Sequence, residues 1–591
     1  MKISVGSKSM ITVYINNKAV SVTKGTKVLH AAAKAGYPVP HLCYHEDLPA
    51  FGNCGVCVVE IGGRIVRACS TPCEDGMKVT TCSKKLLDLR REAVEIILSQ
   101  HPNNCPECIK NGRCELQDLA QQLAIRHLPL KKIHKKFKGQ DTSSPSITLD
   151  QTYCIQCGRC VYVCQEIQGV NALENSDRGF NTFVGPTFKR PLEESECVKC
   201  GQCSAHCPVA AIYEVDDSDP VWSALYDPSK VVVAQEAPAV RVALGEEFGF
   251  KLGTNVVGKM YTALREMGFQ YIFDTNFGAD LTIMEEASEF VEIFKHHPDE
   301  FPLITTCCPS WVDYLEKFYS DLIPQFSSAK SPHQMVGTMV KTYWAEKMKL
   351  DPKDIFLVSV MPCTAKKYEI ERMEDMFASG KQDVDITLTT RELARMLKTR
   401  GIDLAALEDG KADNPLGEYS GAGTIFGATG GVMEAALRTA YKLITDKELP
   451  NPDIKFLRGY KGIKTGELTI QGKTIRIAVA SGLANVKKLL DEVRAARQKG
   501  LEPPYHFIEV MACRGGCVGG GGQPYRSTAK VRIARAKGLY KEDQNLPHRE
   551  SHNNPSIQKL YKEYLDKPLS PKAKKLLHTS YIARPMQMRK V

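Results

Sequence analysis

Nowhere does the chain approach the ~20 consecutive apolar residues that a membrane-spanning helix needs, so no span is expected. Its first residues, MKISVGSKSMITVYINNKAV, hold neither an apolar core with a small-residue cleavage site nor a twin-arginine pair. Both observations argue against the usual export signals and for a cytoplasmic protein. P-loop, helix-turn-helix and aromatic-rich RNA-binding signatures are missing. The glycines of GAGTIFGATGG do not fall into the G-x-G-x-x-G spacing of a dinucleotide fold, and no flavin fingerprint is seen. Net charge is small as well, +10 over 591 residues. The densest basic stretch, LKKIHKKFKGQ with Lys131, Lys132, Lys135, Lys136 and Lys138, reads as a solvated linker face rather than a nucleic-acid site, an acidic protein partner being a third reading. Neither nucleic acid nor membrane is expected as a partner.

What the chain has in quantity is cysteine, 22 of them. A cytoplasmic compartment keeps thiols reduced, so metal is the leading use. With 43% hydrophobic and 25% charged residues the chain is globular, and its length suggests ~3 to 5 domains.

Ile/Val alternation around NNK predicts a β-hairpin, and TKVLHAAAKAG predicts a short helix with Thr26 as N-cap and Gly36 as stop. Cys43, Cys54, Cys57 and Cys69 follow, spaced C-x10-C-x2-C-x11-C. That spacing resembles the [2Fe–2S] ferredoxin-type modules of redox enzymes and differs from the plant-type run. Four thiolates would also suit zinc; the hairpin and helix ahead of them favour iron–sulfur. Cys73 and Cys82 are expected to be packed thiols. His101, Cys105, Cys108 and Cys114, spaced H-x3-C-x2-C-x5-C, resemble the [4Fe–4S] site with one histidine and three cysteines that follows such modules in multi-cluster enzymes. Two C-x2-C-x2-C-x3-C runs come next, the signature of bacterial two-cluster ferredoxins, in which the fourth cysteine of each run ligates the other cluster. One cluster is thus expected on Cys154, Cys157, Cys160 and Cys207, the other on Cys197, Cys200, Cys203 and Cys164.

From about Val221 the pattern turns α/β. Apolar β-branched runs lead into helices, which predicts buried, largely parallel strands with a ligand site outside their carboxyl ends. Three such runs end in cysteine: Cys308 after FPLIT, Cys363 after IFLVSVM, and Cys513 with Cys517 after FIEVM. We expect four thiolates on one rim of a sheet.

The segments TTCCPSW, MPCTAKKYE and EVMACRGGCVGGGGQP resemble the three H-cluster motifs of the [FeFe]-hydrogenases, and the resemblance covers essentially the whole chain. It implies that Cys308, Cys363, Cys513 and Cys517 hold a [4Fe–4S] cubane, Cys517 bridging to a two-iron subsite that carries CO, cyanide and a dithiolate bridge and is built by maturation proteins. It implies that Cys307, unmetallated, passes protons through water to Glu286, Ser327 and Glu289. A thiol of reference pKa ~8.5 does this more readily than serine or alanine. Ile293 stands where some relatives place arginine at the outer end of this route. The resemblance also places Pro238, Ala239, His333, Met361, Phe426 and Met511 in the pocket, with Lys366 donating a charge-assisted bond to a cyanide. Ala239 and His333 depart from the serine and glutamine of many relatives, so potential, catalytic bias and oxygen tolerance are expected to differ.

The expected architecture is multidomain α+β and α/β: a β-grasp [2Fe–2S] domain (10–88), a small helical domain with the histidine-plus-three-cysteine cluster (89–128), a bacterial 2[4Fe–4S] ferredoxin domain (145–217) and an α/β H-cluster domain with largely parallel sheets (221–591). The cofactors would be one [2Fe–2S], three accessory [4Fe–4S] clusters and the H-cluster, and the reaction 2H⁺ + 2e⁻ ⇌ H₂. Ferredoxin, or partner subunits of an electron-bifurcating NAD(P)-linked or formate dehydrogenase-linked complex, would exchange the electrons. A hydrogen sensor and an electron-transfer subunit without a working H-cluster are the rival readings.

Overall fold

The computed structural model describes residues 9–133 and 139–584. Lys132 of the basic stretch donates to the Pro102 carbonyl at 2.6 Å, whereas Lys135, Lys136 and Lys138 lie outside the described residues. Among the described residues no helix is long and apolar enough to cross a membrane.

The chain opens on the hairpin β1 (Met10–Ile15) and β2 (Lys18–Thr23). Asn16 and Asn17 turn it with φ of 47° and 67°, a left-handed pair that asparagine tolerates and that matches strand twist. The helix Val28–Ala35 follows, but its N-cap is Lys27, not Thr26. The Thr26 hydroxyl is spent on Thr23 at 3.1 Å, so no side chain caps the helix. Gly36 stops it at φ 92°, its N–H meeting the carbonyls of Ala32 and Ala33. β3 (Val58–Ile61), β4 (Arg64–Arg67) and β5 (Lys78–Thr80) complete a five-stranded mixed sheet ordered β2-β1-β5-β3-β4. Val13, Ile15 and Val59 pack under the helix in one small core. Cys73 is buried there as expected, but Cys82 is exposed, because it sits just before Ser83, which caps the next helix.

That helix, Lys84–Ser99, runs unbroken across residue 88, and Glu115–Gln122 packs near its end. β6 (Gln140–Asp141) and β7 (Ile147–Asp150), the ribbon of β8 (Glu174–Ser176) and β9 (Phe183–Gly185), and β10 (Ile212–Glu214) frame the tandem cysteine runs.

The larger half is built on β11 (Val231–Glu236), β12 (Tyr271–Asp274), β13 (Leu303–Thr305), β14 (Ile355–Met361), β15 (Ile386–Thr389), β16 (Ile463–Ile470), β17 (Lys473–Ser481) and β18 (Phe507–Met511). They form two sheets, β12-β11-β14-β15, wholly parallel, and β13-β18-β17-β16, parallel except for its last pair. The cysteines therefore do not share one rim. Cys363 follows β14 in the first sheet, whereas Cys308 follows β13 and Cys513 follows β18 in the second. The three strands that lead to the cysteines, β13, β14 and β18, are buried almost throughout on both faces, so their pattern carries no mark of which sheet they join. The long helix Thr275–His296 lies between the sheets. Phe277 and Leu281 enter one core, Ala279, Ile283, Ala287 and Phe290 the other, and a helix with two apolar sides is buried along most of its length.

Candidate metal centres and proton path

Between the two rims lies a cavity. Pro238 and Ala239 reach it from the end of β11, and Met361, Cys363 and Lys366 from the end of β14. Cys307 and Cys308 reach it from β13, and Met511, Cys513 and Cys517 from β18. His333, on the helix Pro332–Met339, and Phe426 complete the wall. The cavity thus collects every pocket residue singled out in the sequence. Burial pushes the Cys363 thiol up to about 12, with Cys308 adding to it. Cys513 is driven up by burial and then by Cys308 and Cys363. Buried thiols that oppose one another's ionisation become thiolates only beside positive charge, and an all-sulfur donor set selects zinc or iron–sulfur. Cys307 shares a hydrogen bond with Cys517, which lowers its value below the usual thiol range, and Lys366 adds to this against burial.

Burial would neutralise Lys366, but Glu369 and then Cys307 hold its ammonium charged. It donates to Glu369 Oε2 at 2.6 Å and to Ser331 Oγ at 2.7 Å, which leaves one of its three N–H donors for the cavity. His333 Nε2 stands 2.5 Å from the same Glu369 oxygen, and its Nδ1 3.3 Å from Ser359. Burial and then Lys366 push His333 down to about 4, so the ring is neutral near pH 7. Against the cost of burial, Lys366 and His333 hold Glu369 down to about 2. Glu369 and Ser331 were not singled out in the sequence; Glu369 sits in the MPCTAKKYE motif three residues after Lys366, the one local signal that it exists for that lysine.

Glu286 and Glu289 project from the long helix. Thr305 Oγ1 donates to Glu286 Oε1 at 2.6 Å, while Oε2 is buried without a hydrogen-bond partner among the described residues. Burial pushes Glu286 up to about 8, the Glu289 and Cys307 charges adding to it despite the Thr305 bond. A carboxyl that keeps its proton near neutral pH is a usable proton carrier. Ser327 Oγ donates to Glu289 Oε2 at 2.6 Å, and Ser328 Oγ to Oε1 at 2.7 Å. Burial would raise Glu289, but His578 and the two serines outweigh it and keep it below the usual range. Ile293 packs into the apolar core beside this helix.

The remaining cysteines, Cys73 and Cys82 apart, gather in four groups. Cys43 hydrogen-bonds Cys54, and Cys57 hydrogen-bonds Cys69. Cys105, Cys108 and Cys114 act electrostatically on one another, and nearby His101 is buried edge-on to Tyr153 with ring centroids 5.4 Å apart. Cys154, Cys157, Cys160 and Cys207 line one cavity. Cys164, Cys197, Cys200 and Cys203 line another. Burial and then neighbouring cysteines drive Cys160 and Cys203 far above the usual thiol range.

Contacts between these groups set their order. Buried Arg159 donates to the carbonyls of Leu42, Cys43 and Tyr44 and pairs with Glu115 at 2.7 Å. Asn53 Nδ2 donates to the Cys157 carbonyl at 3.2 Å. Buried Lys110, which burial pushes down to about 7, donates to the Cys207 carbonyl at 3.1 Å. Both outlying groups therefore abut the Cys154–Cys207 group. The Cys164–Cys203 group abuts the large cavity: Gln202 Nε2 donates to the Cys513 sulfur at 3.2 Å, and Gln168 Nε2 to the Cys200 sulfur at 3.5 Å. Gly201, at φ 66°, lies back to back with Gly521. A Cβ on Gly521 would stand 2.7 Å from the Gly201 Cα, and one on Gly201 3.1 Å from the Gly521 Cα.

Residues 230–521 match the iron only hydrogenase large subunit, C-terminal domain, and 529–584 the iron hydrogenase small subunit. Residues 8–84 match a 2Fe-2S iron-sulfur cluster binding domain, 90–129 the NADH-ubiquinone oxidoreductase-G iron-sulfur binding region, and 153–212 a 4Fe-4S dicluster domain. The chain is 44% identical to the NADP-reducing hydrogenase subunit HndD of Solidesulfovibrio fructosivorans, over 98% of this chain and 99% of that one. It is 41% identical to iron hydrogenase 1 of Clostridium pasteurianum, over 97% and 100%. A solved single-substitution variant of the apo [FeFe]-hydrogenase HydA1 from Chlamydomonas reinhardtii superposes with a TM-score of 0.55 at 42% identity, covering 63% of this chain and all of that one.

Proposed function

The chain belongs to the iron-only, or [FeFe], hydrogenases, and from that membership we propose how its residues divide the work of 2H⁺ + 2e⁻ ⇌ H₂. The observation that carries the reading is one cavity walled by Cys308, Cys363, Cys513 and Cys517, with Cys307 beside them and a buried acid chain leading away. Four sulfur donors fit a [4Fe–4S] cubane, and the same cavity is walled beyond them by Pro238, Ala239, Met361, Phe426 and Met511, where an attached subsite would sit. In this assignment Cys517 would be the thiolate that holds cubane and subsite together. When bound, the group supplies the metal centre at which the H–H bond is made or cleaved. Pro238, Ala239, Met361, Phe426 and Met511 exclude water around it. Lys366, steadied by Glu369 and Ser331, offers its third N–H to a cyanide. His333, neutral and tied to Glu369, fixes that carboxylate rather than adding charge. Cys307 hands protons to Glu286 through water, and Ser327 passes them to Glu289.

Electrons follow the contacts. The five-stranded sheet with its helix is assigned as a β-grasp domain (10–88) holding [2Fe–2S] on Cys43, Cys54, Cys57 and Cys69. The helical segment 89–128 is assigned a [4Fe–4S] cluster on His101, Cys105, Cys108 and Cys114. Both feed the cluster on Cys154, Cys157, Cys160 and Cys207 in the 145–217 domain, because Asn53 and Lys110 touch its loop. The cluster on Cys164, Cys197, Cys200 and Cys203 then serves the 221–591 domain through Gln202. This is a forked wire with two entrances. The likeness to HndD, a subunit of an NADP-reducing hydrogenase by its name, supports redox partner subunits at the entrances. Ferredoxin is the alternative donor, and maturation proteins would install the two-iron subsite.

The test is an infrared spectrum of anaerobic, matured protein poised under H₂ and under argon. We expect CO and cyanide bands that shift between the gases. Bands that ignore H₂ would favour a sensory or impaired site, and their absence beside a correctly maturing control would sink the H-cluster assignment.

A further inference from the structure

One helical turn beyond Glu289 stands Ile293, which has no group that can hold a proton. We propose that His578 is the outer proton station of the path that starts at Cys307; the inference rests on the relay proposed above. His578 lies at the end of the helix Pro571–Leu577, nearly 290 residues from the two glutamates it meets. Its Nδ1 stands 2.7 Å from Ser328 Oγ and 3.5 Å from Glu289 Oε1, and its Nε2 3.0 Å from Glu285 Oε2. Since Ser328 Oγ itself donates to Glu289 Oε1 at 2.7 Å, an unbroken line of donors runs from imidazole to serine to carboxylate.

The groups facing the ring come from every neighbouring element. Glu285 and Glu289 are on the long helix, and Ser328 follows Ser327 in the stretch ahead of the helix Pro332–Met339. The Tyr561 hydroxyl and the Leu569 N–H both donate to Glu285, and the Tyr581 hydroxyl caps the Ser327 carbonyl at 2.9 Å. Burial would discharge His578, but its bonds to Glu285 and Glu289 hold it up to about 9, so it is an imidazolium near neutral pH. Its side chain is 8% exposed, against 0% for Glu285. Glu286 is buried and the Glu289 side chain is 16% exposed, so the imidazole meets the relay at its outer, less buried end.

Inward, the Nδ1 proton passes to Ser328 Oγ as the Ser328 proton passes to Glu289. That leaves a neutral ring whose Nε2 keeps its proton against Glu285, and a solvent proton delivered to the vacated Nδ1 once Ser328 has turned away returns the ring to the cation it began as. Outward, each transfer reverses. Glu289, kept low by this same cation, is a poor store for a proton at neutral pH unless a donor stands against it.

The test compares His578→Gln, which keeps a hydrogen-bonding amide but cannot carry a proton, with Glu289→Gln, each in fully matured enzyme with unchanged infrared bands. We expect His578→Gln to lose roughly tenfold in turnover, below the ~10²-fold or more of an inner general acid because water substitutes in part, and added imidazole to restore much of it. Independently of turnover, hydrogen–deuterium exchange at the ring C2 position in protein without the two-iron subsite should report His578 titrating well above an ordinary histidine, and falling back in Glu285→Gln. Wild-type turnover in His578→Gln with loss in Glu289→Gln overturns the station and leaves the relay intact. Wild-type turnover in both overturns the relay, and the station with it. An ordinary histidine titration also overturns the station, since the pairing on which it stands would be absent.

Discussion

Cys307→Ala should carry a fully assembled H-cluster yet turn over hydrogen at least ~10²-fold more slowly, the loss expected when a positioned acid–base group is removed. Cys307 and Cys308 are neighbours in sequence with different fates. The Cys308 N–H bonds Thr306 Oγ1 at 3.1 Å and Cys308 starts the helix Pro309–Phe318, which fixes it among the three other assigned ligands. Cys307, one residue earlier, lines the same cavity but faces Cys517 and Lys366. Alanine removes the one thiol lining that cavity outside the ligand set and leaves the four ligands as they were. Cys307→Ser keeps the shape but offers a hydroxyl that scarcely ionises near neutral pH, so it should be nearly as impaired. Dye-linked H₂ evolution, set beside the infrared bands and iron content of the same samples, measures this. A Cys307→Ala enzyme with intact bands and wild-type rates would remove the first member of the relay.

Glu214→Ala should lower stability by about 3–5 kcal/mol, the usual cost of stranding a buried cation. Glu214 ends β10 in the ferredoxin-like region and is fully buried. From the catalytic half, Arg391 meets its Oε2 at 2.6 Å, Arg395 its Oε1 at 2.8 Å and the Tyr525 hydroxyl its Oε2 at 3.2 Å. Arg391 is buried too, and without Glu214 its charge would be left with the Gln523 carbonyl and the Ser204 hydroxyl. Burial raises the carboxyl's value, but Arg391 and Arg395 overcome this and hold it far below the usual range. The contribution is therefore present above the unfolded value of ~4.3 and fades only as pH falls towards the depressed folded one, so it is constant across neutral pH. The exposed pair Lys84–Asp88 is the contrast, worth ~1 kcal/mol or less. Urea unfolding midpoints followed by cluster absorbance compare the two; equal, small shifts would show that the junction is not held by this carboxylate.

Much of this was legible in the sequence because metal ligation is local. Cys54-x-x-Cys57 and the tandem runs betray themselves by spacing, and β13, β14 and β18 each lead within three residues to a cysteine of the large cavity. The turn at Asn16–Asn17 and the stop at Gly36 are equally short-range. What depended on distant partners was not legible. Nothing in FPLIT or IFLVSVM says that β13 and β14 belong to different sheets, since both are apolar throughout. Thr26 has the chemistry of an N-cap, but Thr23 claimed its hydroxyl. The missing arginine at Ile293 was visible as a gap, whereas His578, in LLHTS, carries no local sign that it meets Glu289.

The back-to-back seating of Gly201 and Gly521 bears on how such enzymes can be rebuilt. The accessory domains look like interchangeable cassettes, each recognisable from its own cysteine spacing. Yet at the proposed exit from the last accessory group to the catalytic one, two bare main chains touch, and a methyl on either would crowd the other. A foreign ferredoxin grafted here would need more than a suitable potential. It would have to present the same naked backbone at the same spot, so compatibility between wire and reaction centre turns on a surface two hydrogens wide.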